Sequence, residues 1–123
     1  MTDQTKLNSG EKRENRRAQM IKGVLELALL SVLKDRAQYG LEILHRLNAE
    51  VQLDVADGTI YPLLHRMEAS GFVAAEWRIE GRNARPRKYY TLTENGTAEL
   101  ETLWENWTDR RIRIDALQER SAQ

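Results

Sequence analysis

The chain of 123 residues has no cysteine, which excludes disulfide staples, thiolate metal sites and a cysteine nucleophile together. Histidine occurs only as His45 and His65. They fall on different predicted helices, with no pair at i, i+3 or i+4 spacing, so no metal site is expected. No apolar run approaches a membrane span; the longest, Val24 to Leu33, is broken by Glu26 and Ser31. The N-terminus carries charge where a signal peptide needs an apolar core, so a cytoplasmic location is expected. Also missing are a glycine-rich phosphate loop, a nucleophile elbow and paired carboxylates on one buried face, and neither an enzyme nor a cofactor is expected. Asp54 and Asp57 are close in sequence, but Asp57 has a simpler use as a helix cap.

Net charge is lacking too: 19 lysines and arginines balance 19 acids. The neutrality is a cancellation between segments. Arg78, Arg82, Arg85, Arg87 and Lys88 face a single acid, Glu80, whereas Glu94, Glu99, Glu101, Glu105 and Asp109 occupy a stretch with no cation. The first 22 residues are weighted to Lys6, Lys12, Arg13, Arg16, Arg17 and Lys22 against Asp3, Glu11 and Glu14. A basic cluster of this kind is the electrostatic footprint of a polyanion partner, whatever the total.

What is present is a run of short amphipathic helices. Residues 1–10 read as a polar tail and 11–19 as a fraying, polar stretch, so 1–19 form a polar, basic arm. Ile21, Val24, Leu25, Ala28, Leu29, Val32 and Leu33 recur at helical spacing. After Asp35-Arg36-Ala37 comes a second helix, from Tyr39 or Gly40 to Val51, presenting Leu41, Ile43, Leu44 and Leu47. Asp57 is the expected N-cap of a third helix to Ser70, with Ile60, Leu63, Leu64 and Met67 on its apolar face. Pro62 lies in its first turns, and Gly71 ends it.

The periodicity then changes to that of strands. Phe72–Arg78 and Lys88–Leu92 read as an antiparallel pair around a long loop, Ile79–Arg87. Trp77 is expected in the hairpin core, and Tyr89 and Tyr90 on opposite faces. Thr93 caps a final helix reaching Leu117 or beyond.

Helix, helix, helix, hairpin, helix predicts a mainly α fold with a small β-hairpin, a winged helix-turn-helix plus a C-terminal dimerisation helix. Residues 20–92 would form the winged unit and 93–123 the dimerisation helix. In such a unit the third helix enters the DNA major groove. Its outward residues Thr59, Tyr61, His65 and Arg66 suit phosphates and base edges, although Tyr61 could instead pack on the wing. Arg82, Arg85, Arg87 and Lys88 on the loop suit the backbone or a minor groove, and Lys22 suits a flanking phosphate. On the last helix, Leu100, Leu103, Trp107, Ile114 and Leu117 follow a heptad-like seam that one copy alone would leave exposed, with Trp104 beside it.

Several segments carry a family resemblance: Gly23-Val-Leu-Glu-Leu, Tyr39-Gly40, Gly58-Thr-Ile-Tyr-Pro-Leu-Leu-His-Arg-Met-Glu, Gly71-Phe-Val and Arg85-Pro-Arg-Lys-Tyr-Tyr-Thr-Leu-Thr-Glu-Asn-Gly. In this order and spacing the chain resembles the PadR family over residues 20–107, in the short form with a single C-terminal helix. The resemblance implies a homodimeric winged-helix repressor that binds a pseudo-palindromic operator on double-stranded DNA. It implies that Thr59, Tyr61 and Pro62 lie in the recognition helix, Arg85, Arg87 and Lys88 in the wing, and Tyr39 in the DNA-binding unit. In multidrug-responsive members an aromatic on the last helix stacks flat ligands at the dimer centre. Trp107 matches it, which makes Trp104 and Trp107 candidates for a small aromatic effector, although interface packing is their other use. A winged helix serving only protein–protein contact remains the alternative.

Overall fold

The structure, a computed structural model, describes residues 9–82 and 85–121. Four helices and three short strands follow in the order α1 (Ser9–Val32), β1 (Gln38–Tyr39), α2 (Gly40–Glu50), α3 (Asp57–Ala69), β2 (Val73–Arg78), β3 (Arg87–Leu92) and α4 (Glu94–Ser121). The fold is mainly helical with a small antiparallel sheet, as the periodicity implies. The first difference from expectation lies in α1. Residues 9–19, read as part of a polar arm, are the exposed first turns of α1 and run unbroken into its buried half. Residues 1–8 lie outside the described residues.

The second difference is β1, which joins the hairpin to make a three-stranded sheet in the order β1-β3-β2. Gln38 pairs with Tyr90 and Tyr39 with Tyr89, while β2 pairs with β3 from Val73↔Leu92 to Arg78↔Arg87.

One apolar cluster fills the space between α1, α2, α3 and the sheet. Leu29, Leu30, Ile43, Leu47, Ile60 and Leu64 are fully buried in it. Burying each such side chain is worth about 1.5–3 kcal/mol, which makes this cluster the main driving force for docking the helices.

Polar groups lock the joints. At the end of α1, the buried Gln38 amide donates to the Val32 carbonyl at 2.7 Å and accepts from Arg46 at 2.9 Å. Arg46 also donates to the Val32 carbonyl and pairs with Glu50 and Asp35. A cation thus sits where the helix dipole and the unpaired carbonyls want one. Between α2 and α3, Asn48 imitates a strand: it donates to the Val55 carbonyl at 2.9 Å and accepts the Val55 N–H at 2.7 Å. That clamp holds a tight turn in which Gln52 and Asp54 adopt positive φ.

The start of α3 is offset by one residue from expectation. Ala56 is the N-cap and Asp57 the first helical residue, where its charge still favours the helix N-terminus. Pro62 lies five residues further on, and its missing N–H removes the bond that would reach the Gly58 carbonyl. Thr93 caps α4 as expected. Its hydroxyl accepts the Gly96 N–H at 2.9 Å and donates to the Gly71 carbonyl at 2.6 Å, tying the helix start to the start of the hairpin.

Candidate nucleic-acid interface

On α3 the buried residues Ile60, Leu63, Leu64 and Met67 form one stripe. The opposite stripe must then face solvent. Thr59, Pro62, His65 and Arg66 are all exposed on it, and Arg66 has no acidic partner among the described residues. Thr59 also borders a groove shared with Lys22 and Arg17 of α1, which brings the predicted flanking cation beside the start of α3.

Tyr61 lies at the flank of α3, 39% exposed. Its ring rests on the first residue of α2: a Cβ built on Gly40 would meet Tyr61 Cε1 at 2.5 Å and the hydroxyl oxygen at 3.1 Å. The bare backbone at Gly40 therefore sets where Tyr61 sits. The ring thus packs on the α2 terminus, beside the groove shared with the hairpin, and stays partly exposed.

The wing residues divide into two groups. Arg82 and Arg85 are exposed beside the loop tip, whose residues 83 and 84 are outside the described set. Arg87 is exposed too, with its guanidinium 4.3 Å above the Tyr39 ring. Tyr39 meets Tyr89 edge-on at 5.5 Å, and Arg78 lies 5.0 Å from the Tyr89 centroid. Tyr39, expected in the DNA-binding unit, is thus half-buried and serves as a platform for Arg87. Cation–π stacking of this kind is worth about 0.5–1 kcal/mol at an exposed site and restricts the arginine to one side of the wing.

Lys88 departs from its predicted role as a free wing cation. Its ammonium pairs with Glu68 of α3 at 3.1 Å, and that hydrogen bond holds its pKa above the ordinary lysine value. The pair fastens the hairpin to α3. Tyr90 is buried and Tyr89 half-buried, as alternation requires; burial pushes the Tyr90 hydroxyl above its usual value.

Trp77 is the largest correction. Expected in the hairpin core, it is 68% exposed. It shares the sheet face of Val73 and Ala75, but β2 runs beyond the core before reaching it, so the inward-facing position opens onto a groove. The exposure of Trp77 and the Glu68–Lys88 tie are the features of this face that periodicity missed.

The last helix also sorts its seam differently. Leu100 is 7% exposed and Leu103 is packed against the same core, so both serve their own protomer. Trp104, Trp107, Ile112, Ile114 and Leu117 are exposed. Trp107, 41% exposed, lines an open, mostly apolar pocket of about 380 Å³ together with Val24, Leu27 and Ala28 of α1, Val51 after α2 and the charged pair Arg46 and Glu50. Trp104 is not among the residues lining it. Among the described residues, no group of His, Asp and Glu could hold a metal ion, and no helix is long and apolar enough to cross a membrane.

Comparison with known proteins agrees with this architecture. A crystal structure of a PadR-family transcriptional regulator from Eggerthella lenta superimposes with a TM-score of 0.76 at 28% identity, covering 89% of this chain and 94% of that one. A PadR-like regulator from Bacillus cereus gives 0.74 at 32% identity, over 80% of this chain and 95% of that one. A transcriptional regulator of Mycobacterium tuberculosis is 44% identical over 46 residues, which is 37% of this chain and 41% of that protein. The family model described as the transcriptional regulator PadR-like family matches residues 29–102, more than half of the sequence, and the chain belongs to that family.

Proposed function

We propose that this protein is a homodimeric, sequence-specific repressor acting in the cytoplasm, with 20–92 as its DNA-binding unit and 93–123 as its dimerisation helix. The observation that carries this reading is the exposed stripe Thr59, Pro62, His65 and Arg66 on α3, flanked by the arginines of the wing. An α-helix fits the major groove, so α3 reads base edges there while Arg82, Arg85 and Arg87 hold the adjacent backbone. Two copies place their recognition helices about one helical turn, roughly 34 Å, apart on a pseudo-palindrome.

Dimerisation is supported by the outer part of α4. From Trp104 to Ser121 the helix extends about 27 Å at 1.5 Å per residue, bearing exposed Trp107, Ile114 and Leu117. The pocket lined by Trp107 suits a small flat aromatic effector. An effector there acts by changing the separation of the two recognition helices.

The direct test is Arg85→Ala with Arg87→Ala, assayed for duplex binding alongside a thermal melt. Weakened binding with an unchanged melt supports the repressor. Unchanged binding favours a winged helix used for protein contact.

A further inference from the structure

Resting on the DNA-binding reading, we propose that Trp77 is a nucleic-acid contact: its indole packs on the deoxyribose of the strand that passes between α3 and the wing. The groove there is bounded by Tyr61 and His65 from α3 and by Trp77, Arg87 and Lys88 from the hairpin. No carboxylate lines it, and Glu68 nearby is already paired with Lys88 at 3.1 Å. A groove with aromatic walls and only cationic charge complements a polyanion with apolar patches between its charges. The sugar–phosphate backbone has that chemistry.

Register decides which way the indole faces. Trp77 pairs with Lys88, Ala75 with Tyr90 and Val73 with Leu92, and directly paired residues share a sheet face. Tyr90 and Val73 on that face are buried toward the helices, so Trp77 overhangs the same side as α3. Ile79, two residues further out, continues the row and is exposed as well. A tryptophan left open at the end of a buried row has apolar area ready to be covered and an N–H ready to donate to a phosphate oxygen. The Glu68–Lys88 pair holds the hairpin against α3, which keeps the width of the groove set before DNA arrives.

The occupant follows from the docking geometry. When α3 enters a major groove and the wing lies beyond it, the strand edging that groove must cross the space between them. Contacts to sugar and phosphate carry no sequence information, so Trp77 contributes equally to every duplex.

The test measures affinity of wild type, Trp77→Ala, Trp77→Phe and Arg87→Ala for a random-sequence duplex, from low to moderate salt. Trp77→Ala should weaken binding roughly tenfold, about 1.4 kcal/mol, through lost apolar contact. Its salt slope should match wild type, Trp77→Phe should recover most of the affinity, and Arg87→Ala should lower the slope by about two, one for each protomer of the proposed dimer. Trp77 is largely solvent-exposed, so the thermal midpoint should not move. Wild-type affinity in Trp77→Ala overturns the assignment, as does a change of oligomeric mass with DNA binding intact. Absence of wild-type binding to any duplex at low salt instead overturns the DNA-binding reading beneath it.

Discussion

Replacing Gly40 by alanine should weaken DNA binding without harming the fold, because the three atoms nearest to the added Cβ all belong to the side chain of Tyr61. The added Cβ would lie 2.5 Å from Cε1 and 3.1 Å from both Cζ and the hydroxyl oxygen. Carbon atoms in contact prefer 3.5–4.0 Å, so the ring must withdraw by about 1 Å or more. It can do so, since Tyr61 is 39% exposed and its outer edge is in solvent. Position 40 is the first residue of α2 with no positive φ, and alanine there recovers helix propensity of up to about 1 kcal/mol. These terms nearly cancel for stability. For binding they do not, on the proposed DNA-binding reading: a displaced phenol would lose a contact to the duplex, a hydrogen bond worth about 0.5–1.5 kcal/mol per half-site. Two half-sites give a complex weaker by about 1–3 kcal/mol, roughly 5- to 150-fold. Fluorescence anisotropy with a labelled duplex, paired with a thermal melt of the same samples, reads both quantities. A Gly40→Ala protein that melts normally and binds like wild type would refute the placement of Tyr61 at the interface.

Three further substitutions probe the frame that holds the interface. Gly96→Ala should behave oppositely to Gly40→Ala: its Cβ would fall 1.9 Å from the Phe72 carbonyl oxygen, a backbone atom, so α4 and the hairpin must part at a cost of about 1–3 kcal/mol or more, read as a lowered thermal midpoint. Asn48→Ala leaves both the N–H and the carbonyl of buried Val55 without their partner and should cost about 1–3 kcal/mol in chemical denaturation, with Asn48→Asp intermediate because it keeps only the acceptor. Glu50 is held below its ordinary value of 4.5 by the hydrogen bond from Arg46. A depressed carboxylate stabilises the fold above 4.5 and loses that contribution as pH falls through its folded value. Glu50→Gln should therefore slightly lower the melting temperature above pH 4.5, where the charged pair is present, and converge with wild type at lower pH, so that the acid limb is shallower; an unaltered profile would contradict the role of the pair.

The order of elements was legible because each helix carries a complete apolar stripe, and the hairpin because glycine and proline interrupt a switch to period two. What escaped depends on contacts distant in sequence or on where the core ends. β1 is two residues long, too short for alternation to register, and exists only because Tyr89 and Tyr90 offer it an edge. Trp77 was expected in the hairpin core, but nothing local reveals that β2 outruns the core before reaching it. Leu100 and Leu103 share helical spacing with Trp107 and Ile114, and their assignment to the protomer's own core follows from the tether of α4 at Thr93 and Gly96. Lys88 reads as one more wing cation until Glu68, 20 residues earlier, is seen beside it. Thr59, His65 and Arg66 were legible as exposed on α3, since four buried residues at i, i+3, i+4 and i+7 leave one solvent face, whereas the packing of Tyr61 on Gly40 was not.

The central claim is that this fold reads DNA. Binding of the purified protein to the DNA upstream of its own gene, titrated at two salt concentrations beside an unrelated duplex, tests it most directly. The account predicts tighter binding to the upstream DNA and weaker binding to both duplexes as salt rises. Failure to bind either duplex at the lower salt would contradict it.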